Sequence, residues 1–179
     1  PISGAPVQKS EQAPVSRTIG LIAGDFIGMK PTMLVQEGDR VQLGQPVFED
    51  KKTDGVIYTA PAAGKVLAIN RGAKRVFQSL VIEVDGDEQV STNDLSGRDP
   101  GELTRQEVVE LLVSTGLWTS LRTRPFSKVP SPDAHPSSLF VQAIDTSPLA
   151  PKPQAVIDEK AVQFERGLAL LRHLTKGAL

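Results

Sequence analysis

VQEGDRVQLGQPVFED (residues 35–50), the loop KKTDG (51–55), VIYTAPAAGKVLAINRG (56–72) and VFQSLVIEV (76–84) together decide the fold of this chain. Two short apolar runs are each broken at a tight glycine turn. The first turn is Glu37-Gly38-Asp39 and the second is Ala62-Ala63-Gly64. Glycine accepts positive φ in such turns without steric cost. Each turn leads into a segment of alternating character. Leu80, Ile82 and Val84 share one side of the last run, and Val81 and Glu83 share the other. Such a strand needs a facing sheet to bury one side. The reading is therefore two similar β-halves folded over each other.

The EGD…GQ…E turn and the TAP…GKV turn resemble those of the biotinyl/lipoyl-type barrel-sandwich hybrid, or hammerhead. In carriers of that type a lysine beside a methionine, at the turn between the halves, takes the prosthetic group. Here the turn reads Glu49-Asp50-Lys51-Lys52-Thr53-Asp54-Gly55, with two lysines and no adjacent methionine. Lys51 and Lys52 are the candidate attachment points of a carrier, and a solvated charged hairpin tip is the other reading. Fold alone does not assign the role, because function lives in the site.

The chain has 179 residues, room for one or two domains. Twenty Lys and Arg against 21 Asp and Glu leave a formal charge of −1. That balance does not suggest general nucleic-acid binding. The absence of cysteine excludes disulfides, cysteine-ligated iron–sulfur clusters and thiol chemistry within the chain. The two histidines, His135 in a Pro-rich loop and His173 near a helix end, are too few for a zinc site without well-spaced carboxylates. No Ser, His and Asp spacing argues for a catalytic triad. No segment reaches the apolar length of a bilayer span, and no signal peptide is evident. A chain starting at Pro1 reads as a portion of a longer protein.

Outward from the β block, Pro1–Gln12 reads as an extended lead-in and Thr18–Ile22 as a strand. Ser91–Gly101 reads as a polar linker broken by Gly97 and Pro100-Gly101. Thr104-Arg105-Gln106-Glu107 is a capping box opening a helix with Val108, Leu111 and Leu112 on its apolar stripe. Gly116 is placed for a left-handed cap. Ser138–Asp145 (SLFVQAID) is predicted to be a buried strand. A last helix is predicted from Asp158, as N-cap, to about Leu174. The fold class is thus α+β. A barrel-sandwich domain occupies residues 1–100, and residues 101–179 form the start of an open, Rossmann-like α/β domain. A single strand is too few for a doubly wound sheet, so the second part either borrows strands or is incomplete.

DFIGMKPTM (25–33), INRGAKRVFQSLVIEV (69–84), GLWTSLRTRPFSKVP (116–130) and FVQAIDTSPLAPKP (140–153) together resemble the A subunits of the bacterial sodium-translocating NADH:quinone oxidoreductases (Nqr). The resemblance is collinear over nearly the whole chain. It implies a peripheral subunit on the cytoplasmic face of the inner membrane, part of a respiratory sodium pump. The implied partners are the other Nqr subunits, chiefly the membrane-embedded NqrB, with membrane contact made through them. It also implies that flavins and iron–sulfur centres lie on other subunits and that this chain holds no cofactor of its own, with ubiquinone as a candidate partner. Related flavin subunits, in the Rnf complex and in respiratory complex I, carry a GLGGAGFPT-type loop after the helix. There, glycines let backbone N–H groups close on phosphate. At the matching place Trp118, Leu121 and Arg122 stand instead of glycines. The expectation is a chain that binds neither FMN nor NADH through that loop.

Two basic clusters remain as candidates for partner or quinone recognition. One is Arg71, Lys74 and Arg75. The other is Arg122, Arg124 and Lys128, with Trp118 and Phe126 as apolar anchors. Cations can hold an acidic partner surface or lipid phosphates, and they can stabilise a reduced quinone oxygen. The same residues also fit solvated loops, and Trp118 also fits the core. The readings left open are a cofactor-free pump subunit, a biotinyl or lipoyl carrier, a flavin domain and a pure assembly scaffold.

Overall fold

The computed structural model describes residues 4, 6–9, 11–92 and 97–177. Part of the expected lead-in (Pro1–Ser3, Ala5 and Ser10) and of the expected linker (Asn93–Ser96) lies outside the described residues. The chain forms two compact units that interleave in sequence. One comprises Val15–Ser96 and Val109–Ala134. The other comprises Pro1–Pro14, Gly97–Val108 and His135–Leu179.

Among its described residues the first unit is built on seven strands: β1 (Thr18–Ile22), β2 (Pro31–Met33), β3 (Arg40–Val41), β4 (Pro46–Asp50), β5 (Ile57–Thr59), β6 (Gly64–Arg71) and β7 (Phe77–Val84). They make two antiparallel sheets, ordered β1-β7-β6-β3 and β2-β4-β5. Alternation decides the faces. Leu80 and Ile82 of β7 are fully buried while Gln78 and Glu83 to either side of them are exposed. On the other sheet Val47, Phe48 and Tyr58 are equally buried. The two inner faces meet where Phe48 of β4 approaches Phe77 of β7 edge-on, ring centres 5.3 Å apart. This is the doubled β arrangement expected from the turns.

Gly64 shows why one of those turns requires glycine. Its φ is 151°, and a Cβ there would lie 1.9 Å from the carbonyl oxygen of Glu83 on β7. The backbone of β6 enters the sheet too close to β7 for any side chain.

The second unit is helical among its described residues. Helix α1 (Arg105–Ser114) starts in this unit and ends in the first. Its capping box forms as expected. The Thr104 N–H donates to Glu107 Oε2 at 2.8 Å, and the Glu107 N–H donates to Thr104 Oγ1 at 3.3 Å. Leu103, Val108 and Leu174 are the unit's buried apolar side chains among the described residues.

Two expectations are corrected here. Ser138–Asp145 does not form a strand, and Phe140 and Ile144 are 87% and 62% exposed. A strand exists only through a hydrogen-bonded neighbour, and the unit has no strand among its described residues to supply one. The last helix does not begin at Asp158. Helix α2 (Gln154–Glu159) begins after Pro153, whose φ of −56° suits a helix start. Asp158 lies inside it and accepts a hydrogen bond from Gln154 Nε2. Helix α3 (Ala161–Leu171) follows after Lys160 leaves helical geometry at φ −133°, ψ 35°.

Candidate functional site: a pinned loop, a hairpin tip and the aromatic cluster beneath

The eight residues singled out in sequence all fall in the first unit, at two places. Trp118, Arg122, Arg124, Phe126 and Lys128 lie on the segment that follows α1. Arg71, Lys74 and Arg75 lie at the tip of the β6–β7 hairpin. Among the described residues no hydrogen bond or ion pair joins the two groups.

The loop segment starts at Gly116, which adopts φ 76° as the helix cap. A Cβ at Gly116 would lie 2.1 Å from Thr59 Oγ1, so β5 passes directly against this cap. Thr59 Oγ1 donates to Thr115 O at 3.3 Å. Trp118 follows at 3% exposure, and its indole N–H donates to Pro130 O at 2.9 Å. The indole is therefore a core anchor that closes the segment 118–130 on itself. Between those ends the chain is pinned again. The Thr123 N–H and hydroxyl both donate to Lys128 O, at 2.8 and 3.1 Å, and the Ser127 N–H donates to Thr123 O at 2.8 Å. Out of this tied loop Phe126 projects at 71% exposure, with Arg124 and Lys128 also exposed. A rigid exposed aromatic flanked by cations is the mixture that interface centres favour.

Arg122 has a different employment. Its guanidinium donates to Leu121 O at 2.9 Å, to Asp25 O at 3.3 Å and to Thr119 O. It also lies 5.5 Å from the centre of the Phe26 ring, within cation–π reach. The side chain thus ties the loop to the segment ahead of β2.

Beneath Arg122 sits a cluster that sequence reasoning did not single out. Tyr58 meets Phe26 edge-on at 4.7 Å and stacks on Phe48 at 4.6 Å. Tyr58 is 1% exposed, and its hydroxyl has no hydrogen-bond partner among the described residues. Burial pushes its pKa up to about 12, the Asp50 carboxylate adds to the rise, and Arg122 opposes it. Asp50, 7% exposed, accepts from the backbone N–H groups of Lys30 and Lys52, both at 3.0 Å. The Lys51 N–H donates to Lys30 O at 2.8 Å. The turn bearing Lys51 and Lys52 is therefore held by its backbone while both lysine side chains stay exposed. The only sequence signal for this cluster was the apolar setting of the single Tyr58 in its strand.

Among the described residues no group of three or more His, Asp or Glu is arranged to hold a metal. His173 Nε2 lies 2.8 Å from Pro100 O in the second unit.

Residues 1–85 match the NqrA N-terminal barrel-sandwich hybrid domain, and residues 103–179 match the NqrA second alpha/beta domain. The chain belongs to the NqrA family. Among similar proteins, the A subunit of the Na(+)-translocating NADH-quinone reductase of Marinomonas sp. (strain MWYL1) is 56% identical over 99% of this chain and 40% of its own length. The protein of the same name from Rhodopirellula baltica is 53% identical over 100% of this chain and 40% of its own length. That of Yersinia pestis is 49% identical, with 99% and 40% covered. The chain thus spans about 40% of the length of the curated relatives it matches. Within the NqrA family the pinned loop lies in the matched second domain and the hairpin tip in the matched barrel-sandwich domain.

Proposed function

We propose that this chain belongs to a peripheral subunit of a sodium-translocating NADH:quinone oxidoreductase. It sits on the cytoplasmic face of the bacterial inner membrane, held there by partner subunits, chiefly the membrane-embedded NqrB. It carries no flavin or nucleotide of its own. Its exposed loop serves assembly and contact with ubiquinone. The family match over the whole chain supports the assignment to the pump. Among the described residues no helix is long and apolar enough to cross a membrane, which fits attachment through partners.

The observation that carries the cofactor-free reading is the segment after α1. Flavin subunits of related complexes place glycines there, so that backbone N–H groups reach phosphate. Here large side chains stand in place of those glycines: Trp118, buried with its indole bonded to Pro130 O, and Arg122, bonded to the Leu121 carbonyl. The feature that supports quinone contact is Phe126, a flat apolar face with Arg124 and Lys128 beside it. Cationic N–H groups aimed at a quinone oxygen favour its reduced, negatively charged forms.

Trp118 is the sole tryptophan and is bonded to Pro130 at the end of this loop. Titration of the chain with a short-chain ubiquinone, followed by tryptophan fluorescence, is expected to saturate. Phe126→Ala is expected to abolish the response. A linear, non-saturating quench would remove quinone contact from the reading. Visible absorbance of the purified chain is expected to lack a flavin band, and its intact mass to show no adduct at Lys51 or Lys52. A stoichiometric flavin would overturn the cofactor-free reading.

A further inference from the structure

At the far end of the β6–β7 hairpin the sequence runs Arg71-Gly72-Ala73-Lys74-Arg75-Val76. The Val76 N–H donates to Ala73 O at 3.2 Å, closing a turn with two central residues. Lys74 has φ 54° and ψ 27°, and Arg75 has φ 59°. Both central residues are left-handed, as in the type I′ turn that matches the twist of a hairpin. That turn favours Asn-Gly, since glycine has no Cβ and asparagine tolerates the left-handed region. Lysine and arginine have neither advantage.

The local cost is not offset locally. Ala73, Lys74, Arg75 and Val76 are all exposed, Val76 at 62%. Neither the Lys74 nor the Arg75 side chain has an ion pair or hydrogen bond among the described residues. The carboxylate at the opposite end of β7, Asp85, is already paired with Arg40 at 2.8 Å. The backbone of the tip is nevertheless firmly held. The Gly72 N–H donates to Val76 O at 2.7 Å, the Arg75 N–H to Gly72 O at 3.1 Å, and Arg71 Nη1 to Arg75 O at 3.4 Å. Residues that break a local rule without local compensation mark places where the side chains serve something outside the fold.

We propose that this tip is a docking point whose Lys74 and Arg75, flanked by Arg71 and Val76, enter an acidic recess on a neighbouring protein of the complex. The inference rests on the reading that the chain works inside a multisubunit pump. Charge complementarity names the chemistry of the recess: carboxylates facing three cations in a chain whose net charge is −1. The rigid turn favours a protein over a lipid surface. Lipid headgroups rearrange around any basic loop and need no fixed spacing. Fixed carboxylates reward a tip already held in its binding shape, because little freedom remains to be lost.

The substitution K74N/R75G separates fold from docking, since it removes both charges while installing the preferred turn. Its thermal midpoint is expected to rise by about 3 °C. When the NqrA-family chain is co-produced with the other pump subunits and purified in detergent, retention of the variant is expected to fall about tenfold. The charge-preserving swap K74R/R75K is expected to be retained like the parent chain. A K74N/R75G variant that is retained fully overturns the proposal, and one that is not stabilised overturns its premise. Full retention in detergent with loss of binding only to vesicles of anionic phospholipid makes the tip a lipid site and also overturns it. A parent chain that is not retained at all sinks the pump reading and this inference with it.

Discussion

Replacing Tyr58 with phenylalanine is expected to stabilise the first unit. The hydroxyl is buried without a hydrogen-bond partner among the described residues, while the ring is stacked on Phe48 and met edge-on by Phe26. Phenylalanine keeps both ring contacts and removes the polar atom. A buried unpaired hydroxyl costs about 1–3 kcal/mol, so a gain of about 1 kcal/mol is expected after small packing losses. Urea denaturation of both proteins measures it. The same hydroxyl makes a second, independent prediction. Tyr58 is the only tyrosine, so tyrosinate absorbance reports one group. Burial, reinforced by Asp50, raises its pKa from 10.0 to about 12. A raised pKa means the folded chain holds the proton longer than the unfolded chain. Stability is therefore insensitive to this group below pH 10 and falls as pH rises through about 12, where the folded chain is forced to bury a tyrosinate. The whole loss is roughly 2–3 kcal/mol. In spectrophotometric titration the folded chain is expected to ionise near pH 12, and the denatured chain near the ordinary value. Two outcomes would refute this account of the hydroxyl. Tyr58→Phe losing more than about 1 kcal/mol would mean that the hydroxyl is bonded. A folded chain that titrates at the ordinary value would mean that the ring is not shielded from water.

Gly64→Ala places a methyl group 1.9 Å from Glu83 O in backbone that side chains rarely adopt. It is expected to cost more than about 3 kcal/mol, read as a collapse of the urea midpoint, because the obstacle is the main chain of β7. Glu107 titrates well below the usual carboxylate range, at about 2, held first by the Thr104 N–H, then by Arg98 and the Thr104 hydroxyl. A depressed carboxylate contributes above its unfolded value of 4.5 and stops contributing as pH falls towards 2. Glu107→Gln is therefore expected to flatten the acid limb of the helical circular-dichroism profile between those values and to leave the neutral-pH fold in place.

Much of this protein was legible as sequence because the deciding interactions are local. Thr104 and Glu107 are three residues apart, so the capping box forms from its own backbone whatever packs nearby. The alternation around Leu80 and Ile82 needs only the pleat of one strand to choose a buried face. Gly64 and Gly116 mark left-handed positions that their neighbours in sequence announce. Motif order was enough to point to the NqrA family.

Other features depend on partners far along the chain, which no window of sequence contains. Ser138–Asp145 has strand composition, yet a strand is a relation between two segments, and its unit offers no second one among the described residues. Arg122 reads as a surface cation, but Asp25 O and the Phe26 ring, brought close by folding, turn it into a tie. Phe126 and Trp118 are both aromatics on one loop. Packing buried Trp118 against Pro130 and left Phe126 in solvent. Lys74 and Arg75 are not residue types that favour the left-handed region, yet the structure places both there, at the tip where β6 turns into β7. Local patterning determined the β block, its glycine turns and the capped helix, and the resemblance of its motifs pointed to the family. Burial and long-range contact decided which of the candidate charges and rings remain free to meet a partner, because solvent exposure belongs to the folded whole.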